Sequence, residues 1–223
     1  MALCPSLVLD VLELSVYGFT LRVMVVTDGM DEIVAEMERS ALAGAESMLR
    51  THGVCARPSV FMFVSSPTLG AVFMGSVTAR RYARGQDAAD AVRGLGLLPS
   101  VLAGPRLLVA WENAELCMAF GEPGEEFPAG LVMVDATLDD HIVRWHPFTP
   151  RYGAKSETMY ASVIVEWRAP SEQRGAALPG PVAELLGLWR EQRGGNLDVT
   201  RAALQRSGFG VSWLADMATE PGP

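Results

Sequence analysis

The clearest pattern in the chain is an amphipathic stretch over residues 30–52. Apolar residues recur there at helical spacing, and charged residues fill most of the other positions. Gly53 follows directly, and glycine is the residue that most often ends a helix. The pattern therefore predicts one long helix with a single apolar face, formed by Met30, Ile33, Val34, Met37, Ala41, Ala45, Met48 and Leu49.

Runs of strand character follow this helix. A second, shorter helix is predicted from Gln86 or Asp87 to about Leu95. The predicted strands are residues 59–65, 69–78, 106–120 with a bend near Glu112, 131–135, 141–145 and 159–167. Because no crossover helices separate the later strands, this order predicts an α+β fold, with an antiparallel or mixed sheet covered by the long and the short helix.

The N-terminal region has two interpretations. Residues 7–16 and 19–26 have strand character and predict a hairpin, followed by Thr27 or Asp28 as a cap for the long helix. Alternatively, Met24 or Met30 is the natural start and the preceding residues are a dispensable extension. The segment lacks a basic region at its start and is interrupted by charges, so it does not resemble a signal peptide.

Proline and glycine divide the rest of the chain. The predicted organisation is a strand segment or extension at residues 1–29, an α+β core at 30–168, a Pro/Gly linker at 169–181 and a helical appendage at 182–218. The appendage is too small to form its own core, so it must pack on the main domain or on another chain.

The appendage carries more large apolar side chains than short helices can bury among themselves. Trp189 and Trp213 are therefore candidate binding residues, since tryptophan is enriched among interface anchors. On this basis we expect a homo-oligomer or a protein partner that contacts the C-terminal helices.

Composition narrows the class of protein. The chain has 223 residues, a net charge of −8 and 49% hydrophobic residues, which indicates a folded protein. Its acidity argues against nucleic-acid and membrane partners, which need clustered basic residues. Three widely spaced cysteines without a disulfide framework favour a cytoplasmic location. Lys155 is the only lysine, a usage typical of a GC-rich bacterial genome.

Candidate catalytic residues are few. Glu112, Asp139 and either His141 or His146 are the residue types that a hydrolase could use as acid, base and orienting group. The two histidines are an odd number of positions apart on a predicted strand, so their side chains should point to opposite faces. We therefore expect no metal site and no cofactor.

Two other groups contain reactive or charged side chains. Cys55 and His52 are close in sequence, but His52 suits the negative end of the long helix, and neither an orienting group nor an oxyanion hole is identifiable. Arg80, Arg81 and Arg84 form a basic cluster that could bind a phosphate or an acidic partner, or simply be a solvated loop.

The sequence is compatible with three functions. The leading hypothesis is a non-catalytic accessory or interaction protein, because no catalytic constellation stands out. The second is a hydrolase-like enzyme that uses the carboxylate and histidine candidates. The third is a small-ligand sensor whose pocket is lined by methionine and tryptophan, with Met62, Met74, Met118 and Met133 on predicted strands.

Overall fold

A computed structural model describes residues 11–16, 19–24, 29–67, 70–121, 125–152 and 163–214 of the chain. The helices are α1 Met30–His52, α2 Gln86–Gly94, α3 Leu97–Leu102, α4 Asn113–Phe120, α5 Gly180–Glu191 and α6 Leu197–Arg206. The strands are β1 Val11–Val16, β2 Phe19–Met24, β3 Ser59–Ser66, β4 Gly70–Thr78, β5 Arg106–Glu112, β6 Gly130–Thr137, β7 His141–Tyr152, β8 Val163–Trp167, β9 Ser171–Arg174 and β10 Gly210–Trp213.

Helix α1 has the predicted bounds. Gly53 ends it in the left-handed conformation, with φ of 66°, and its N–H donates to the carbonyl of Leu49. Asp31 lies in the first turn and Arg50 in the last, where their charges complement the helix dipole. The proposed caps Thr27 and Asp28 lie outside the described residues.

The main sheet is antiparallel throughout, which confirms the predicted α+β class. Its strand order is β10-β4-β3-β5-β6-β7-β8, and β9 also pairs with β7. Strands β1 and β2 form the predicted hairpin, a separate two-stranded sheet within the described residues.

Helices pack on both faces of the main sheet. Ile33, Val34 and Met37 of α1 join one core cluster with phenylalanines of β3 and β4. On the other face, side chains of α2, α3, α5 and α6 form a larger cluster with the strands. Because the central strands are buried on both faces, their sequences are nearly continuous apolar runs rather than alternating ones.

The C-terminal helices belong to this core. Trp189 of α5 is fully buried, and its Nε1–H donates to the carbonyl of Gly104. Trp213 is also buried, in β10, which extends the sheet beyond β4. Gly75 permits that pairing, because a Cβ there would lie 2.2 Å from the carbonyl oxygen of Ser212. Of the two alternatives, packing on the main domain is the one observed.

Trp189 and Trp213, which the sequence suggested as interface anchors, are therefore not surface binding residues. Both indoles lie in the core of their own chain, so neither is available at the surface. The surplus of apolar area that led us to expect docking on another chain is buried within this one.

Two predicted segments differ from the structure. Residues 106–120 are not one bent extended run, because α4 begins directly after β5. The predicted linker at 169–181 contains β9, whose four exposed residues pair with β7. Among the described residues, no helix is both long and apolar enough to cross a membrane.

Candidate functional site

Glu112 has a structural environment. It is buried at the end of β5, where its carboxylate accepts hydrogen bonds from the backbone N–H groups of Ala114, Glu115 and Gly130. It is therefore the N-cap of α4 and also holds the start of β6. Because the carboxylate of Glu112 accepts three backbone hydrogen bonds, its role is to hold the fold, which weighs against a role as a catalytic acid or base.

The other catalytic candidates do not converge with Glu112. Glu112 pairs with Leu131 at one end of β5 and β6, whereas Asp139 follows the opposite end of β6 and is exposed. The two carboxylates are separated by about 20 Å of strand length.

The two histidines have different partners. His141 donates from Nε2 to the carbonyl of Ala176, at 2.9 Å. His146 contacts Glu38 of α1 through its Nε2, at 3.2 Å. This fits the predicted alternation of the strand, and in the described part of the chain no group of three or more His, Cys, Asp or Glu side chains could hold a metal ion.

A cleft that contains converging polar groups lies between α1 and the sheet. Its volume is about 760 Å³. We call it the charged cleft; its polar lining includes Asp31, Glu38, Arg106, Asp135, Asp140, His141, Arg144, His146 and Arg174. Asp31 and Glu38 lie about two turns apart on α1 and so share one side of the helix.

A network of ion pairs forms the floor of the charged cleft. The carboxylate of Asp135, only 4% exposed, accepts two hydrogen bonds from Arg106, at 2.6 and 2.8 Å. Arg106 also pairs with Asp31, and Arg144 lies 3.6 Å from Asp135. Such bidentate pairs fix both side chains, so the network connects α1 to the sheet.

Glu38 links the network to His146. Its side chain is 13% exposed and receives hydrogen bonds from Arg144, at 2.9 Å, and from His146. Burial by itself raises the pKa of Glu38, but the His146 hydrogen bond and the Arg144 charge outweigh it, so the pKa is lowered. Glu38 therefore stays ionised and holds both partners.

Sequence reasoning identified His146 but missed Glu38, Arg106, Asp135 and Arg144. Asp135 had a detectable signal, because it is a single charge inside the apolar run of β6. Its partners are distant in sequence, so the charge alone does not identify them.

The thiols are poor nucleophiles. Cys55 and Cys117 are free, as predicted, and Cys4 lies outside the described residues. Burial raises the pKa of Cys55, and the charges of Glu112 and Glu115 raise it further. The same effects of burial and nearby carboxylates raise the pKa of Cys117. A thiol kept protonated is unreactive, which argues against Cys55 as a nucleophile.

Two of the three arginines in the basic cluster bind groups of this same chain. Arg80 pairs with Asp87 at 2.5 Å, and Asp87 also accepts the N–H of Ala83. Arg84 donates to the carbonyl of Gly121. Arg81 is exposed. The cluster thus holds the loop before α2 in place, which accounts for Arg80 and Arg84 without a phosphate.

A second surface feature lies along α4. An apolar groove of about 370 Å³ runs between α4 and the loop before α2. We call it the α4 groove; it is lined by Tyr82, Ala83, Arg84, Glu115, Met118 and Ala119. Met118 is 45% exposed, and Phe120 at the end of the helix is 37% exposed.

Both carboxylates and arginines lie beside this groove. Burial raises the pKa of Glu115, and the charge of Glu112 raises it further, although a hydrogen bond from the Cys55 backbone lowers it. Burial and the charge of Glu115 also raise the pKa of Tyr82, against the opposing charge of Arg57. Burial is the larger cause of both shifts, and the nearby carboxylate charges add to it.

Of the four methionines in the sensor hypothesis, Met74 packs with Met62, but the set does not converge on one pocket. Met62 and Met133 are fully buried core residues on opposite faces of the sheet, whereas Met118 is exposed on α4. This arrangement removes the observation on which the sensor hypothesis was based.

Comparisons with known proteins add no relative: no protein-family model, no curated protein and no solved structure matches this chain.

Proposed function

We propose that this chain is a non-catalytic, cytoplasmic accessory protein that acts by binding another protein. The observation that carries the proposal is the surface of α4. Helix α4 buries Leu116 and Ala119 but leaves the large apolar side chains of Met118 and Phe120 exposed. Met118 also lines the α4 groove, which offers a concave apolar contact to a side chain of a partner.

The environment of the chemical candidates supports the same proposal. Glu112 caps a helix, the Cys55 thiol has a raised pKa, and Asp139 lies far from Glu112. The free thiols of Cys55 and Cys117 fit a reducing compartment.

A substrate panel tests this proposal. We expect the purified protein to hydrolyse nitrophenyl esters, phosphate monoesters, phosphate diesters and casein no faster than buffer does. Turnover that is present in the wild type and lost in His146→Gln, with His52→Gln at an exposed histidine outside the cleft as the matched control, would contradict the proposal.

One observation favours a hydrolase as the second candidate. Glu38 and His146 form a carboxylate–histidine pair in the charged cleft, and such a pair can act as an orienting group and a base. This version of the enzyme hypothesis uses Glu38 in place of Glu112 and Asp139. The hydrolase ranks second for two reasons. Glu38 also forms an ion pair with Arg144, and the other charged side chains of the cleft pair mainly with one another.

A further inference from the structure

A further groove lies on β7, next to the start of α4. Its volume is about 670 Å³. We call it the Trp145 groove; its lining includes Asn113, Pro128, Trp145, Pro147, Thr149 and Arg168. We propose that it binds a proline-rich segment of another protein in the polyproline II conformation, and so adds to the proposed function a second contact surface, separate from the α4 groove.

The Trp145 groove contains an aromatic surface that is fixed before binding. Side chains alternate along a strand, so Trp145, Pro147 and Thr149 lie on the same face of β7. The Trp145 ring lies across the backbone of Gly130, where a Cβ atom would be 2.2 Å from the ring. The ring also packs against the larger core cluster. Because the indole is already ordered, contact with a partner costs little side-chain entropy.

The free hydrogen-bonding groups of the groove are donors. Within the described residues, the Nε1–H of Trp145 has no acceptor. Arg168 is exposed and donates from one nitrogen to the hydroxyl oxygen of Thr149, at 2.9 Å. Its guanidinium carries further N–H groups, and no carboxylate in the described part of the chain pairs with it. Trp145 and Arg168 can therefore both donate to a bound partner.

The neighbouring acceptors, in contrast, are already occupied. The carbonyl of Pro128 accepts a hydrogen bond from the side chain of Asn113 at 3.0 Å, and the amide oxygen of Asn113 accepts one from the thiol of Cys117. The carbonyl of Pro147 accepts the backbone N–H of Arg168 at 2.9 Å. A partner backbone with buried N–H groups would lose hydrogen bonds to water here without gaining new ones, which is unfavourable.

A proline-rich segment suits such a groove. Proline has no backbone N–H, its carbonyl oxygen still accepts, and its ring is apolar. The polyproline II helix is also largely formed before binding, which limits the entropy lost. From Trp145 to Thr149 the groove follows about 14 Å of strand. Because this helix rises about 3.1 Å per residue, that length accommodates about four residues of the partner.

A peptide array tests the chemistry of the partner. The full chain is applied to short peptides that carry proline at every third position, with all other positions varied. A matched array has alanine in place of each proline, which restores the N–H groups and removes the preformed helix. We expect binding to a subset of the proline peptides and to none of their alanine counterparts.

Nuclear magnetic resonance tests the place of binding. The chain has five tryptophans, and each contributes one indole N–H signal. The signal that disappears in Trp145→Phe belongs to Trp145. On titration with a bound peptide we expect that signal to shift, while the signals of the buried Trp189 and Trp213 do not.

Matched variants separate the two donors from general effects. Affinity is measured by fluorescence anisotropy with one labelled peptide. Trp145→Phe should weaken binding about fivefold and Arg168→Gln about threefold, the effect of one lost hydrogen bond each. Trp167→Phe and Arg151→Gln should leave the affinity unchanged, because those side chains bind Glu46 and Glu166 outside the groove. Circular dichroism and the Tm should show that all four variants remain folded.

Several results would overturn the inference. They are equal binding to the proline and alanine arrays, no bound peptide on either array, a Trp145 signal that does not move, and an affinity that Trp145→Phe leaves unchanged. Binding that Met118→Ser abolishes and Trp145→Phe does not would reject this groove and place the contact at α4. Failure of the proposed function itself would show separately, as turnover in the substrate panel.

Discussion

A chain that ends after Ala177 is expected not to fold. The cut removes α5, α6 and β10, and with them seven buried apolar side chains of the larger core cluster: Val182, Leu185, Leu186, Trp189, Leu204, Phe209 and Trp213. Burial of each contributes about 1.5 kcal/mol or more, so the loss exceeds about 10 kcal/mol. The total stability of a typical domain is about 5 to 15 kcal/mol. We expect no cooperative transition in thermal or urea unfolding followed by circular dichroism.

Point substitutions separate this effect from a general defect of truncation. Trp189→Ala should destabilise the full chain by about 3 to 5 kcal/mol, as expected for a large aromatic residue removed from a core. Val199→Ala on α6 is the control, because Val199 is largely exposed and its loss should cost less than about 1 kcal/mol. A truncated chain that sediments as a folded monomer would show instead that the C-terminal helices are dispensable for the core.

The second large effect is expected for Asp135→Asn. The substitution removes the negative charge that Arg106 and Arg144 share beneath α1. Breaking a buried ion pair on one side typically costs about 3 to 5 kcal/mol, since the remaining charge is left uncompensated. Both arginines keep other carboxylate partners, so we expect about 3 kcal/mol, measured as a lower midpoint in urea at constant slope.

The control for this prediction is Glu166→Gln. Glu166 pairs with Arg151 at 2.9 Å on the sheet surface, where both side chains are exposed. An exposed ion pair contributes less than about 1 kcal/mol. Equal destabilisation by the two substitutions would mean that the pairs beneath α1 do not connect the helix to the sheet.

The sequence predicted the elements whose signals are local. Helix α1 was predicted with its observed bounds, because an apolar stripe, a charged opposite face and Gly53 act together. Asparagine is a preferred N-cap residue, and the side chain of Asn196 accepts the N–H of Val199 at the start of α6. Such signals depend on neighbouring residues, so the three-dimensional context does not alter them.

Helix α4 and strand β9 were missed for opposite reasons. The sequence of α4 is mostly apolar and has little helical periodicity, so it resembles a buried strand. Strand β9 is polar and wholly exposed at the sheet edge, so it resembles a linker. In both segments the structure follows from contacts with distant parts of the chain.

The sequence does not predict the candidate sites either, because they also form through contacts between residues that are distant in the chain. Glu38 and His146 are separated by most of the core domain and meet only because α1 lies across β7. The α4 groove requires Tyr82 and Met118 to face each other, which their positions in the sequence do not reveal.

The most direct test of the account is gene replacement in the source cell. The measurement is the growth or expression change that deletion of the gene causes, scored for His146→Gln and for the double substitution Glu115→Gln with Met118→Ser. If the protein works by binding through α4, His146→Gln restores the wild-type behaviour and the double variant, expressed at the same level, does not. Restoration by the double variant together with failure of His146→Gln would contradict the account and place the function in the charged cleft.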